Sequence, residues 1–445
     1  MGTLKAWVGG AWVPIGGGSG SGGGAEEVWV GPADPGTVGP FELWYDTDAS
    51  ALPPAGTGLP PGGAAGTVLR KKSATDFNTE WFAPPLAGRN LLDNGQMAVN
   101  QRQNANGVIS RISDRWSIPN NGVGVTTLNY GTLANFGGFS SVASRPRPAN
   151  VQFVQISTAE AAGSLAAADY CQWIQTVEGL NLQHLNWGSA DAQPVTYSFD
   201  IYSTIASTYV VELYRAETTA RVISALLPVP AGWSTQSVTF PGDTAAGITN
   251  DNLGRLQVTV WLAAGSNYTS GTLQTAWGNV VQTNRAVGLS NAIQATVNQV
   301  FALTNCQFEV GSAPTPYEVL RYDVDLARCQ RYAFYPGKDI PTANYVVLGG
   351  GMATATTSVA SLFWLPVAMR TAPTWDLNGT AATIYGLHDR IGTAGAVSAI
   401  AQDVVSTPTV AALQSTCNAV LTVGRYYQML RNSGQAGCGG WTADI

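Results

Sequence analysis

The 445-residue sequence predicts an all-β protein: an extended N-terminal arm, then an antiparallel β-sandwich (a jelly roll), then a smaller C-terminal β-sandwich. Three observations carry this prediction. Charged residues make up only 11% of the chain, where a soluble domain usually carries about 25%. Gly and Pro are abundant at 51 and 24 residues, beside 14 Trp, 16 Tyr and many Val and Thr; strands favour β-branched and aromatic residues, and turns take Gly, Pro and Asn. Finally, apolar residues recur with a period of two in segment after segment, which is the pattern of half-buried antiparallel strands.

Along the chain, residues 1–58 form a Gly/Pro-rich arm. Two aromatic patches, Lys5–Val13 and Phe41–Asp46, interrupt it, and neither is long enough to build a core. The run Gly16–Gly24 has the composition of a flexible linker. Such an arm gains order only against a partner, so an attachment role is expected for it. Residues 88–320 should form the sandwich. Val195–Ile201, Tyr209–Leu213 and Leu256–Leu262 alternate apolar with polar residues, and turn signals separate them at Asn186–Asp191, Pro228–Gly232, Pro241–Asp243 and Ala264–Asn267. A short helix is expected at Ala159–Tyr170. Residues 321–445 should open with a turn or two of helix at Asp323–Arg331. Strands then resume at Ser358–Pro366, Pro373–Leu377 and Thr416–Val423 as a second, smaller sandwich.

Composition also bounds function. A net charge of -6, with 4 Lys and 18 Arg, argues against a nucleic-acid surface. No run of about 18 apolar residues exists, so no membrane insertion is expected. The segment Met1–Trp7 lacks the charged and apolar regions of a secretory signal. Five widely spaced cysteines without a C-x-x-C pattern exclude zinc and redox motifs. Most should be buried hydrophobes, with a Cys417–Cys438 bridge left open.

The case for catalysis is thin, and the protein is read as a non-enzyme. His184 and His388 are the only histidines, and no G-x-S-x-G elbow accompanies the His388-Asp389 pair. Paired carboxylates cleave glycosidic bonds at separations of about 5–9 Å, yet each acidic candidate has a structural reading. Asp46 and Asp48 sit in the arm, Asp323 and Asp325 favour a helix start through its dipole, and Asp243 and Asp251 are turn residues. No metal-binding motif is present, so no cofactor is expected; calcium could find oxygen ligands in such turns, but nothing fixes them. Two loop aromatics remain as carbohydrate-binding candidates, Tyr268 and Trp277. Trp and Tyr offer a flat apolar face with a hydrogen-bonding edge, which suits sugar rings. The same residues could simply cover one end of the sandwich core.

Several segments resemble bacteriophage tail fibre and minor tail (receptor-binding) proteins. Glu26–Gly36 with Phe41–Asp48 is similar to the N-terminal stretch of minor tail proteins from phages of actinobacteria. Gly62–Trp81 resembles a short fibre motif that belongs, in that family, to an intertwined trimeric stem, which implies a stem at 59–87 and a homotrimer. Asn90–Met97 with Ser113–Ser117 looks like the opening of carbohydrate-binding-type jelly rolls. Cys306–Glu318 and Leu326–Tyr332 are similar to their close, and Met369–Thr374 and Trp441–Ile445 to small distal domains. Gln96-Met97 departs from an opening that often carries an acidic or aromatic residue, which counts against a carried-over calcium site. The resemblance implies a virion protein of a phage tail, docked on other tail or baseplate proteins through its arm and binding host-envelope glycan distally. A purely structural baseplate or head-fibre role and a glycan-cleaving tailspike are the alternatives.

Overall fold

The computed structural model describes residues 88–102, 113–123, 165–291, 299–336, 345–377, 380–389, 395–435 and 439–445 in full. It adds the backbone of strands at 5–8, 11–14, 28–31, 43–46, 68–71, 79–82, 125–132, 150–156 and 392–394. The chain divides into two compact units, Met1–Leu86 and Ala87–Ile445.

In the first unit, β1 (Lys5–Val8) pairs antiparallel with β2 (Ala11–Pro14). Strand β3 (Val28–Gly31) runs parallel to β4 (Leu43–Asp46), and β5 (Val68–Lys71) pairs antiparallel with β6 (Thr79–Phe82). The rest of the expected arm and stem lies outside the described residues.

The second unit begins with a two-sheet sandwich. Its strands are β7 (Asn120–Asn121), β8 (Val125–Thr132), β9 (Asn150–Ile156), β10 (Tyr170–Glu178), β11 (Val195–Ser203), β12 (Ser207–Arg215), β13 (Arg221–Val229), β14 (Gly232–Phe240), β15 (Gly254–Ala264), β16 (Gly278–Asn279) and β17 (Val300–Val310). One sheet has six strands in the order β16-β13-β12-β15-β10-β7, the other five in the order β14-β11-β17-β9-β8, and every pairing is antiparallel. Alternation works as the sequence predicts on the inner faces: Val195, Tyr197, Phe199 and Ile201 of β11 all enter the core. Trp173 of β10 and Tyr209 of β12 meet Phe301 of β17 across the layers, with ring centroids 5.7 and 4.9 Å apart. Burying a side chain such as Phe301 stabilises the fold by about 1.5–3 kcal/mol.

The outer faces are less open than alternation implies. Thr196, Ser198 and Asp200, the polar positions of β11, are buried as well. Asp200 accepts hydrogen bonds from Thr235 and Asn305, both at 2.7 Å, and Thr196 donates to the carbonyl of Gly311 at 2.8 Å. A strand that reads as half exposed is covered on both sides; polar partners satisfy Thr196 and Asp200, while the buried Ser198 hydroxyl has none among the described residues. At the expected helix near Ala159–Tyr170, residues 157–164 lie outside the described set, residues 165–169 are not helical, and Tyr170 opens β10.

The C-terminal region opens with a helix close to the expected place. Between β15 and β16 lies the one-turn helix α1 (Ser266–Thr269), and α2 (Tyr322–Gln330) follows the sandwich, with Asp323 and Asp325 in its first turn. The further strands are β18 (Ala333–Phe334), β19 (Val346–Ala355), β20 (Ser358–Trp364), β21 (Thr374–Asp376), β22 (Tyr385–Asp389), β23 (Gly392–Gln402), β24 (Val410–Cys417), β25 (Tyr426–Arg431) and β26 (Gly440–Thr442). Here the architecture differs from the expected second sandwich. Six strands close into an antiparallel barrel, β19-β20-β24-β23-β22-β25, and β18, β26 and β21 form a small sheet. Closure needs strongly bent strands, and β-bulges supply the bend. The register slips between Val347 and Gly349, Ala353 and Ala355, Leu387 and His388, and Val397 and Ala399. Gly349 permits a close approach: a Cβ there would stand 2.5 Å from the Phe363 ring that helps fill the barrel.

Cys171, Cys306, Cys329 and Cys417 form no disulfide and are buried, as expected for small core residues. Burial pushes the Cys171 thiol up to about 12. Cys438 lies outside the described residues, and so does any bridge it makes. No helix among the described residues is long and apolar enough to cross a membrane.

Candidate functional site: an aromatic-walled cleft on the six-stranded sheet

The outer face of the six-stranded sheet carries a cleft of about 450 Å³ lined by Tyr170, Gln172, Trp261, Asn267, Tyr268, Gln282, Thr283 and Arg285. Parity on the strands places its floor. In β15, Leu256, Val258 and Val260 turn inward, so Gln257, Thr259 and Trp261 turn outward. Trp261 then lies directly across from Gln172 of β10 and Val210 of β12.

The chain after β15 builds the walls. Gly265 is a tight spot, since a Cβ there would meet the Ala166 carbonyl at 2.0 Å. From it, α1 turns over the sheet. The Asn267 N–H donates to the Ala167 carbonyl at 2.9 Å, and the Ala286 N–H to the Tyr268 carbonyl at 2.9 Å. These bonds hold the Tyr268 ring against Trp261 (5.1 Å) and edge-on to Tyr170 (5.8 Å, 77°).

Arg285 closes the far side over a buried carboxylate. Its Nε donates to Glu212 at 3.0 Å and its Nη2 also reaches that carboxylate, while the guanidinium sits 5.0 Å from the centroids of both Trp261 and Tyr214. Burial pushes the Glu212 carboxyl above its usual range, against the lowering effect of Arg285, Trp261 and Ser224. Burial opposes the charge on Arg285 too, but its bond and attraction to Glu212 outweigh that and raise its pKa. Each group therefore neutralises the other, and the cleft presents no free charge from this pair.

Gln172 sits differently. It is 8% exposed, it lines the cleft, and among the described residues its side-chain amide makes no hydrogen bond. Its amide is not among the buried polar atoms that lack a partner, so it keeps contact with solvent in the cleft, and a ligand hydroxyl would take the place of water there. The described lining contains no Asp, Glu, His or Cys, and no cluster of three or more such residues among the described ones could hold a metal.

Of the two aromatics singled out in the sequence, the structure brings only Tyr268 to the cleft. Trp277 packs edge-on against Trp187 at 5.0 Å and donates its indole N–H to the Pro241 carbonyl at 2.7 Å, closing one end of the sandwich. Sequence reasoning missed Trp261, Tyr170, Gln172 and Arg285. The signal for Trp261 was present: in Leu256–Leu262 it falls on the polar parity, with Gln257 and Thr259. Nothing local in the sequence marks Arg285, whose partner lies 73 residues away.

The remaining candidates whose side chains are described have structural partners; those of Asp46 and Asp48 lie outside the described set. Asp243, 1% exposed, receives Arg221 at 2.6 Å and Arg215 at 3.7 Å, and Asp251 pairs with Arg255. Asp325 accepts the Asn94 N–H at 2.9 Å. Asp389 pairs with Arg425 at 3.2 Å, and the neighbouring His388 lies 3.4 Å from the Asn432 side-chain oxygen. His184 borders a second cleft of about 440 Å³, with Arg328 and Arg331. Both guanidiniums there are already engaged, by Asp93 and Glu178, each at 2.7 Å.

No protein-family model matches the chain, and no curated protein matches it. Among solved structures, it is similar to the enzymatically active domain of bacteriophage CBA120 tailspike protein 4. That match has 11% identity and a TM-score of 0.27, over 50% of this chain and 22% of the tailspike chain. It is also similar to TmCBM61, solved with beta-1,4-galactotriose, at 10% identity and a TM-score of 0.25, over 51% of this chain and all of that one. The CBM22-1 xylan-binding domain of Paenibacillus barcinonensis Xyn10C gives 10% identity and a TM-score of 0.26, over 52% and 99%. Likenesses this distant carry no residue across.

Proposed function

We propose that the chain is a non-enzymatic attachment protein of a phage tail, homotrimeric through residues 59–87, that binds neutral host-envelope glycan in the cleft over the six-stranded sheet. The observation that carries the reading is an aromatic-walled cleft with the Gln172 amide open to it on the floor. A sugar ring combines an apolar face, which stacks on Tyr268 and Tyr170, with hydroxyls, which bond to Gln172, Asn267 and Gln282. Because Glu212 already satisfies Arg285, uncharged sugars fit better than acidic ones. Binding rather than cleavage is supported by the lining, which offers no carboxylate pair. Several copies on one stem would raise weak single-site affinity by effective concentration.

The test is calorimetric titration of the full chain with a panel of neutral hexose and pentose oligosaccharides. One or more should bind. Tyr268→Ala and Gln172→Ala should each weaken that binding at least tenfold, or about 1.4 kcal/mol, while Trp277→Phe leaves it intact. Binding that ignores both cleft variants would sink the site, and no binding at all would favour a purely structural virion component. Release of new reducing ends would make the chain a glycan-cleaving enzyme instead.

A further inference from the structure

The outer wall of the C-terminal barrel is open and largely apolar, interrupted by the exposed amides of Gln414 and Gln428. On β20, Phe363 points into the barrel, while Leu362 and Trp364 point out at 60% and 81% exposure. Met352 of β19 and its cross-strand partner Tyr426 of β25 continue the surface, both more than half exposed. Gly350, opposite Leu362, keeps the wall flat between them. The turn leading into Val410, the partner of Trp364, adds Val404 at 98% exposure and Val405.

These strands are also without outward charge. β19, β20 and β24 contain no charged residue, and the only one in β25, Arg431, is 2% exposed. Monomers seldom expose an apolar patch beyond roughly 300–600 Å². The exposed parts of Val347, Met352, Leu362, Trp364, Val404, Val405 and Tyr426 come to roughly 800 Å², about what one partner contributes to a standard interface.

We infer that this wall is a docking surface for a second copy of the same chain. Uncharged walls meet their own image without like-charge repulsion, although each chain carries a net charge of -6 elsewhere. The closed barrel leaves no strand edge to pair, so association here must run through side-chain faces. A sugar is the poorer fit beside Trp364, whose strand partner is Val410; the exposed amides of these strands, Gln414 and Gln428, stand opposite Ala360 and Gly350 instead.

Hydroxyl-radical footprinting of the full chain over a range of concentrations tests this locally, whatever assembly the N-terminal residues impose. Trp364 and Met352 should be protected at least fivefold in the wild type, and Leu362→Glu with Val404→Glu should abolish the protection. A second variant, Val405→Glu with Tyr426→Glu, should do the same. Both pairs are outward, and melting curves matching the wild type would show that the barrel still folds. Free oxidation of Trp364 and Met352 in the wild type would overturn the inference. Protection that survives both variants, or that depends on added oligosaccharide, would overturn it as well.

Discussion

Asn94 holds a left-handed backbone (φ 53°), and its side chain accepts the Val99 N–H at 2.9 Å while donating to the carbonyls of Val99 and Asp114. The Trp116 indole donates to the Asn94 carbonyl at 3.0 Å. The two short segments that open the sandwich, Asn90–Met97 and Ser113–Ser117, are thus tied to each other by backbone-directed bonds. Asp114 within them is fully buried. Desolvation pushes its carboxyl up to about 6, against the lowering effect of Arg102 and of hydrogen bonds from Gln101. Unfolded, the same group titrates near 3.8. Between those values the folded protein binds more protons than the unfolded one, so this group's contribution to stability falls as pH rises from about 4 to 6. Asp114→Asn removes that dependence. Relative to wild type, the variant should therefore gain about 2–3 kcal/mol between pH 4 and pH 7.5. Urea titrations at the two pH values would measure it, and a constant difference between variant and wild type would refute the assignment.

At the scale of elements, α2 is the joint between sandwich and barrel. Arg328 donates to Asp93 and Arg331 to Glu178, both at 2.7 Å, and Arg115 pairs with Asp93 at 3.0 Å while stacking 3.4 Å from the Tyr332 ring centroid. Glu178 is fully buried. Arg331→Ala would leave it without that partner, and breaking such a pair costs about 3 kcal/mol. Glu178→Gln with Arg331→Met should recover most of the loss in denaturant melts; a single variant as stable as wild type would show the pair to be idle. The helix itself was legible from the two acids that mark its start, but its buried side is Asp325 and Cys329, and Val324 stands 44% exposed. Most strands were legible too, because period-two alternation reports half-burial, but the stretch expected at Thr416–Val423 leaves the sheet after Cys417. What alternation does not encode is whether six strands close on themselves or stack as two layers, since both present one apolar face. Closure turns on bulges such as that between Val347 and Gly349, and a bulge leaves only a one-residue slip in the pattern. The cleft was half legible for a related reason. Tyr268 stands out beside Gly and Ser in a loop, whereas the value of Gln172 and Arg285 comes from strand neighbours distant in sequence.

Across the whole second unit, two separate apolar clusters, one in the sandwich and one in the barrel, are joined by polar contacts that draw on residues from both ends of the segment. Arg102 pairs with Asp444; burial alone would lower its pKa, but Asp444, Asp114 and Tyr335 together hold it above the ordinary value. Arg370 binds the carbonyls of Asn252, Ala443 and Asp444, each within 2.9 Å, and so stitches a sandwich loop to β26 and the residues after it. Trp441, 1% exposed, packs against Phe363 at 5.0 Å and Trp375 at 4.9 Å inside the barrel cluster. Residues 441–445 therefore serve the barrel core and the joint together. Deleting them strips a large aromatic from the core, about 3–5 kcal/mol by analogy with Trp→Ala, and leaves the Arg102 charge buried without Asp444. Calorimetry of the deletion variant should show the barrel melting at least about 10 °C lower and separately from the sandwich, whose inner core keeps all its members. Trp441→Phe should retain coupled melting with a smaller shift, because the joint survives. If the deletion variant still melts in one transition near the wild-type temperature, the joint does not couple the two cores.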